Sequence, residues 1–138
     1  MITVTTFLRM YQDFWLYDIF VDFGINPVDT YIRSGASFAK LPALPYTPGK
    51  DGAGIIEQIG DDVKGRKVGD RVWYSGANGA SAQYTVVDHA YLLPYGVTYA
   101  EGASIGIPYL TTYRAMFVLA GAKDGDLIMV HLVVLVVP

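Results

Sequence analysis

The sequence has 138 residues and a mass of 15.1 kDa, the size of about one ordinary domain. Hydrophobic residues make up 52 % and charged residues 17 %, so the chain can bury a core and does not have the composition of a disordered protein. The net charge of −3, with no basic stripe, argues against a nucleic-acid partner. Because there is no cysteine, disulfides, thiol nucleophiles and thiolate zinc sites are excluded.

The location of the protein is predicted from its apolar stretches. The N-terminus has no basic region followed by an apolar run, so no secretory signal is predicted. The longest apolar stretch, residues 127–137, is interrupted by His131 and is shorter than the ~20 residues that cross a bilayer. We expect a cytoplasmic protein with no membrane partner.

The first regular pattern is a strand followed by a short helix. Residues 19–23 alternate as in a half-buried strand. Asn26 is then a favoured N-cap, Pro27 suits the first helical position, and Gly35 suits the end of a helix of about two turns.

Three further strands are predicted over residues 52–60, 71–74 and 82–87, with turn signals between them. Short strands at nearly even spacing are typical of a small barrel or sandwich. Lys50 and Asp51, just before the first of these strands, are interpreted as part of a turn. After residue 100 the pattern changes to α/β, with one or two helical turns over residues 101–107, a longer helix from Pro108 to about residue 120 and a buried-type strand over residues 126–130.

Four blocks, in this order, carry a family resemblance. They are residues 24–35 (GINPVDTYIRSG), 44–54 (LPYTPGKDGAG), 68–72 (VGDRV) and 102–115 (GASIGIPYLTTYRA). With them, the chain resembles the quinone oxidoreductases, the zeta-crystallin-like branch of the medium-chain dehydrogenase/reductase superfamily, from about residue 19 to residue 131.

The resemblance implies a mainly β fold with short helices. An incomplete GroES-like catalytic barrel over residues 19–100 would lead into the first helix and strand of a Rossmann α/β domain over residues 101–131, with residues 1–18 unmatched and residues 132–138 divergent. The implied activity is the reduction of quinones or electron-poor enones by NADPH, with direct hydride transfer and positioning by the protein. Full-length members of the family are expected to form homo-oligomers.

The zinc-dependent members of the superfamily differ from this sequence at their metal ligands. They have a cysteine where this chain has Asn26, and a His-Glu pair where it has Lys50 and Asp51. An amide and an ammonium group cannot rebuild a zinc site, so no metal is expected.

Three residues match family positions in the cleft, and each has a simpler alternative. Tyr31 matches the position beside the nicotinamide, but it can equally be an aromatic residue of the helix core. Asn26 matches a cleft residue that is a catalytic candidate, and an N-cap role alone also explains it. Thr111 matches a position facing the cofactor, and it can instead cap or back-bond the helix.

The chain departs from the family after residue 131. The family continues with a glycine-rich loop that brings backbone amides to the cofactor phosphates, whereas this sequence reads LVVLVVP over residues 132–138. Branched side chains cannot replace those glycines, so we expect a truncated chain that is inactive alone.

Two other classes of function are compatible with parts of the sequence. An SH3-like or Tudor-like barrel could bind a methylated lysine through an aromatic cage that includes Trp73 and Tyr84. A catalytically silent chain could instead act as an interaction partner of the full-length enzyme.

Overall fold

The computed structural model describes residues 16–36, 41–61 and 63–129 of the chain. The predictions made for residues 1–15 and 130–138, which include the divergent tail, lie outside these described residues.

One antiparallel sheet organises the described residues. Its five strands lie in the order β4-β1-β2-β3-β5, and each pairs with its neighbour in antiparallel orientation. They are β1 (Leu16–Gly24), β2 (Asp51–Ile59), β3 (Arg71–Tyr74), β4 (Tyr84–Val87) and β5 (Tyr91–Leu92). The predicted strands over residues 19–23, 52–60 and 71–74 are confirmed, and the one predicted over residues 82–87 forms only from residue 84.

The core lies on one face of this sheet. In β3, Val72 and Tyr74 are buried while Arg71 and Trp73 are half-buried, which is the alternation expected of a strand with one covered face. Ile56, Val87 and alanines of the loops after β3 and β4 complete the cluster. These apolar contacts fix the register of β2 against β3, because a slip of one residue would turn the apolar set outward.

The helix α1 (Pro27–Ser34) forms where the sequence predicts it. Asn26 is its N-cap, and the backbone N–H of Asn26 donates to the carboxylate of Asp29 in the first turn, at 2.8 Å. Gly35 ends the helix in the left-handed conformation, with φ 76°, which glycine adopts without steric cost. Local capping thus explains both ends of α1.

A second helical region begins at Thr98. The helix α2 (Tyr99–Ser104) packs against β1 and β2, and Thr98 and Glu101 form a capping box at its start. The chain then bends at Gly106, which has φ −57° and ψ −119°, and continues as a π-helical turn over Ile105–Tyr109, the helix α3 (Leu110–Tyr113) and a second π-helical turn over Arg114–Leu119. The predicted long helix is therefore present, with wider turns than an α-helix.

The strand predicted at residues 126–130 is wrong over the part that is described. Residues 126–129 form no strand, and Leu127 and Met129 are exposed. A buried strand needs hydrogen-bonded neighbours, and no described strand lies beside this segment.

No helix within residues 16–36, 41–61 and 63–129 is long and apolar enough to span a membrane.

Candidate functional site

A buried pair of polar side chains lies where β1, α1 and β2 meet. Asn26 is 2 % exposed and Asp51 is fully buried. The side-chain amide nitrogen of Asn26 donates to the Asp51 carboxylate at 2.8 Å. The loop after β1 and the first residue of β2 place these two side chains together, although they are far apart in the sequence.

Two more donors complete the surroundings of Asp51. The Ser75 hydroxyl, which follows β3, donates to one carboxylate oxygen at 2.7 Å. The backbone N–H of Ile107, at the bend into the long helical segment, donates to the other at 2.7 Å. Hydrogen bonds to a charged acceptor are among the stronger ones, and together they offset the cost of removing a carboxylate from water.

The interpretation of Asp51 as a turn residue is wrong. It is the first residue of β2, its Cα is paired with that of Gly24 in β1, and its side chain points into the interior. The sequence contained one signal, because the resemblance places Asp51 at the glutamate of the His-Glu pair of the zinc enzymes.

Lys50 is separate from this buried pair. Its ammonium group donates to the Asn78 side-chain oxygen at 2.6 Å, in an exposed position. The two neighbours that replace a metal-ligating pair in the zinc enzymes therefore have different surroundings, one at the surface and one in the interior.

Tyr31 is exposed on α1, one helical turn after the N-cap. Its side chain is 42 % exposed, and α1 has no buried residue, so the alternative of a helix-core aromatic is wrong. A tyrosine exposed to this extent can offer part of its ring or its hydroxyl to a ligand.

Thr111 lies in α3 and is half-buried, about one helical turn beyond Ile107. The hydroxyl that bonds back to the Pro108 carbonyl, at 3.0 Å, belongs to Thr112 and not to Thr111. Asp51 thus connects Asn26 with the backbone N–H of Ile107, four residues before Thr111. No hydrogen bond joins Thr111 to Asn26 or Tyr31.

The aromatic cage expected of an SH3-like or Tudor-like barrel that binds methylated lysine is not formed. Trp73 is in β3 and Tyr84 is in β4, and β1 and β2 lie between these strands, a separation of about 14 Å at the usual strand spacing. Trp73 instead stacks on Tyr91, with ring centroids 4.7 Å apart.

The described residues contain no group of three or more metal-ligating side chains. At the positions that match the zinc ligands, Asn26 turns its amide nitrogen toward the Asp51 carboxylate, and an amide nitrogen is a donor that does not bind a cation.

Comparison with known proteins places these features in a family. Residues 20–97 match the family described as the alcohol dehydrogenase GroES-like domain. Quinone oxidoreductase of Mus musculus is 50 % identical over 111 residues, which cover 78 % of this chain and 33 % of that protein. The chain thus spans about a third of the length of this relative.

Solved structures show the same fold. The human synaptic vesicle membrane protein VAT-1 homolog-like protein superimposes with a TM-score of 0.75 at 30 % identity, covering 83 % of this chain and 37 % of that one. Escherichia coli quinone oxidoreductase complexed with NADPH superimposes with a TM-score of 0.69 at 32 % identity, covering 78 % of this chain and 34 % of that one. The expected mainly β, GroES-like fold with short helices is confirmed. The chain belongs to the alcohol dehydrogenase GroES-like domain family and is a quinone oxidoreductase-like member of the medium-chain dehydrogenase/reductase superfamily.

Proposed function

We propose that the protein takes part in NADPH-dependent reduction of quinones, or of electron-poor enones, without zinc. The observation that carries this proposal is the buried Asn26–Asp51 pair at the cleft positions of a quinone oxidoreductase-like domain. The relatives named quinone oxidoreductase support the substrate class, and the E. coli enzyme solved with NADPH supports the cofactor.

The residues of this chain fit the nicotinamide end of the cofactor. Because the Asp51 carboxylate holds the amide nitrogen of Asn26, the amide oxygen faces away from Asp51. We propose that this oxygen accepts a hydrogen bond from a ligand N–H or O–H. The exposed ring of Tyr31 offers an apolar face against which a flat ring can pack. We place Thr111 on the cofactor side of the cleft, one turn beyond the bend at Gly106.

When bound, NADPH supplies a hydride to the quinone, which takes up one proton from solvent to give the hydroquinone. Asn26 and Tyr31 would orient the two reacting rings and exclude water from between them. No side chain of this site has to act as a strong acid, since the hydride transfer needs positioning more than proton donation.

The phosphate end of the cofactor does not fit this sequence. Residues 132–138 read LVVLVVP where the family has its glycine-rich loop. Close approach of backbone amides to a pyrophosphate needs residues without side chains. We therefore propose that this chain alone binds NADPH weakly and does not turn over, and that it supplies the substrate side of the reaction.

We assign the protein to the cytoplasm, since the absence of cysteine suits a reducing compartment.

A chimeric enzyme tests the substrate side. The corresponding segment of mouse quinone oxidoreductase is exchanged for residues 20–115 of this chain, which include all four motifs. We expect quinone-dependent oxidation of NADPH, followed as loss of absorbance of the reduced nicotinamide, and no such activity from the 138-residue chain alone. A folded chimera that binds NADPH but reduces no quinone would contradict the proposal.

A further inference from the structure

Asp51 is the point where three separate segments of the described chain meet. Its carboxylate receives Asn26 from the β1–α1 junction, Ser75 from the loop after β3, and the backbone of Ile107 from the bend into the long helical segment. It is fully buried, and nothing in the proposed hydride transfer requires it to touch a ligand. A buried charged group without a chemical role needs another explanation.

The donors around Asp51 determine which way the Asn26 amide faces. A carboxylate accepts hydrogen bonds and donates none, so only the NH₂ side of the amide can face it. The amide oxygen must then point away from Asp51. A neutral amide at position 51 would not impose this choice, because it offers both a donor and an acceptor.

The backbone around Asp51 leaves little room for other arrangements. A Cβ at Gly106 would overlap the Asp51 carboxylate, and a Cβ at Gly24 would lie 3.3 Å from the Asp51 Cβ and 2.8 Å from the Ala103 carbonyl oxygen. Two of the three segments, at Gly24 and Gly106, therefore lie with their backbone directly against the Asp51 side chain. A rigid surrounding of this kind holds a polar group in one geometry.

We propose that Asp51 is a positioning residue that fixes the Asn26 amide with its oxygen turned away from Asp51 and, through the Ile107 N–H, ties that amide to the helical segment carrying Thr111. The substrate side and the cofactor side of the cleft are thereby held at one fixed spacing. The orientation of the Asn26 amide is a property of the chain without a ligand. Only the identity of the ligand that this amide contacts rests on the proposed function.

Proton exchange in the isotope-labelled 138-residue chain tests the orientation. The Asn26 side-chain amide protons are compared with those of Asn78, whose side chain is exposed and accepts from Lys50 through its oxygen. We expect the Asn26 protons to exchange with solvent at least about tenfold more slowly, with one proton shifted strongly downfield by the carboxylate. Equal exchange at both asparagines would overturn the proposal, and this comparison needs no variant.

Substitution of the carboxylate separates positioning from general stability. We expect Asp51→Asn to remove the downfield Asn26 signal and to speed exchange at Ile107 by about tenfold or more. The matched control is Asp70→Asn, which removes a carboxylate that accepts from the Lys67 backbone at 2.9 Å in a different turn. This control must leave both the downfield Asn26 proton signal and the exchange rate of the Ile107 amide unchanged.

Ser75→Ala is the second variant, for use if Asp51→Asn does not fold. It keeps the carboxylate and removes only one donor, so the Asn26 signal must stay downfield and slow to exchange. Loss of that signal in Ser75→Ala, or its survival in folded Asp51→Asn, would overturn the proposal. Failure of the chimera to reduce quinones would instead refute the proposed function and leave these exchange results as they stand.

Discussion

The ring of Tyr74 in β3 lies directly across Gly52, its paired residue in β2, so closely that a Cβ at position 52 would be 2.5 Å from the Tyr74 Cζ. Tyr74 is fully buried and belongs to the core cluster. The glycine is required here for space and not for an unusual backbone angle.

The variant Gly52→Ala should therefore strain the core. We expect it to lower the free energy of unfolding by about 1–3 kcal/mol, the usual cost of adding a group to a packed interior. Glu57→Ala, at an exposed position of the same strand, is the control and should change stability by less than about 0.5 kcal/mol. Urea denaturation followed by tryptophan fluorescence measures both, and equal effects would show that the Tyr74 ring does not occupy this space.

The stack between Trp73 and Tyr91 joins β3 to the two-residue strand β5. Its rings lie 4.7 Å apart and 25° from parallel. We expect Tyr91→Ala to lower the free energy of unfolding by about 1 kcal/mol, because this ring contact is lost. Tyr95→Ala removes the same side chain from a fully exposed position and should be nearly neutral. A double-mutant cycle that combines Tyr91→Ala with Trp73→Ala measures the interaction energy between the two rings from the free energies of unfolding. An interaction energy of zero would contradict the stacked arrangement.

The capping box at the start of α2 predicts a pH dependence. The backbone N–H and the side-chain hydroxyl of Thr98 both donate to the Glu101 carboxylate, each at 2.8 Å, and these bonds lower the pKa of Glu101 below its ordinary value of 4.5. A lowered folded-state pKa stabilises the fold above the ordinary value, and this contribution is lost as the pH falls through the folded-state value.

We expect Thr98→Ala to lower the free energy of unfolding by about 1 kcal/mol at neutral pH, which is the usual effect of losing an N-cap side chain. The difference in stability from the unmodified chain should shrink as the pH falls below 4.5 and through the lowered folded-state pKa of Glu101, because protonation weakens the bond that the Thr98 hydroxyl donates to this carboxylate. Glu101→Gln is the control, because it removes the titrating group. A difference that stays constant from pH 7 to pH 3 would contradict the capping interaction.

The absence of a zinc requirement is tested in the chimera described above. Asn26 and the pair Lys50 and Asp51 stand where the zinc enzymes have their ligands. We expect a strong chelator to leave the rate of quinone-dependent NADPH oxidation unchanged. A loss of activity that added zinc restores would contradict the metal-free proposal.

The elements that could be predicted from the sequence are those set by neighbouring residues. The ends of α1 follow from Asn26, Pro27 and Gly35, which act within a few residues of their own positions. The strands β2 and β3 follow from their apolar patterns and the glycines around them.

The errors concern contacts between distant residues. The three partners of Asp51 lie 25, 24 and 56 positions away, so no local pattern shows that its carboxylate is buried. The order of strands separates Trp73 from Tyr84, which the sequence alone could not reveal. The strand predicted from residue 126 had the right composition but no described neighbour with which to form hydrogen bonds.

The most direct measurement is a kinetic cycle in the chimera with Asn26→Ala, Asp51→Asn and the double variant. If Asp51 acts by holding the Asn26 amide toward the reacting rings, each single variant should lower kcat by about tenfold or more, and the double variant should be no slower than the slower single one. Full activity in Asn26→Ala, or effects of the two substitutions that multiply in the double variant, would contradict the site described here.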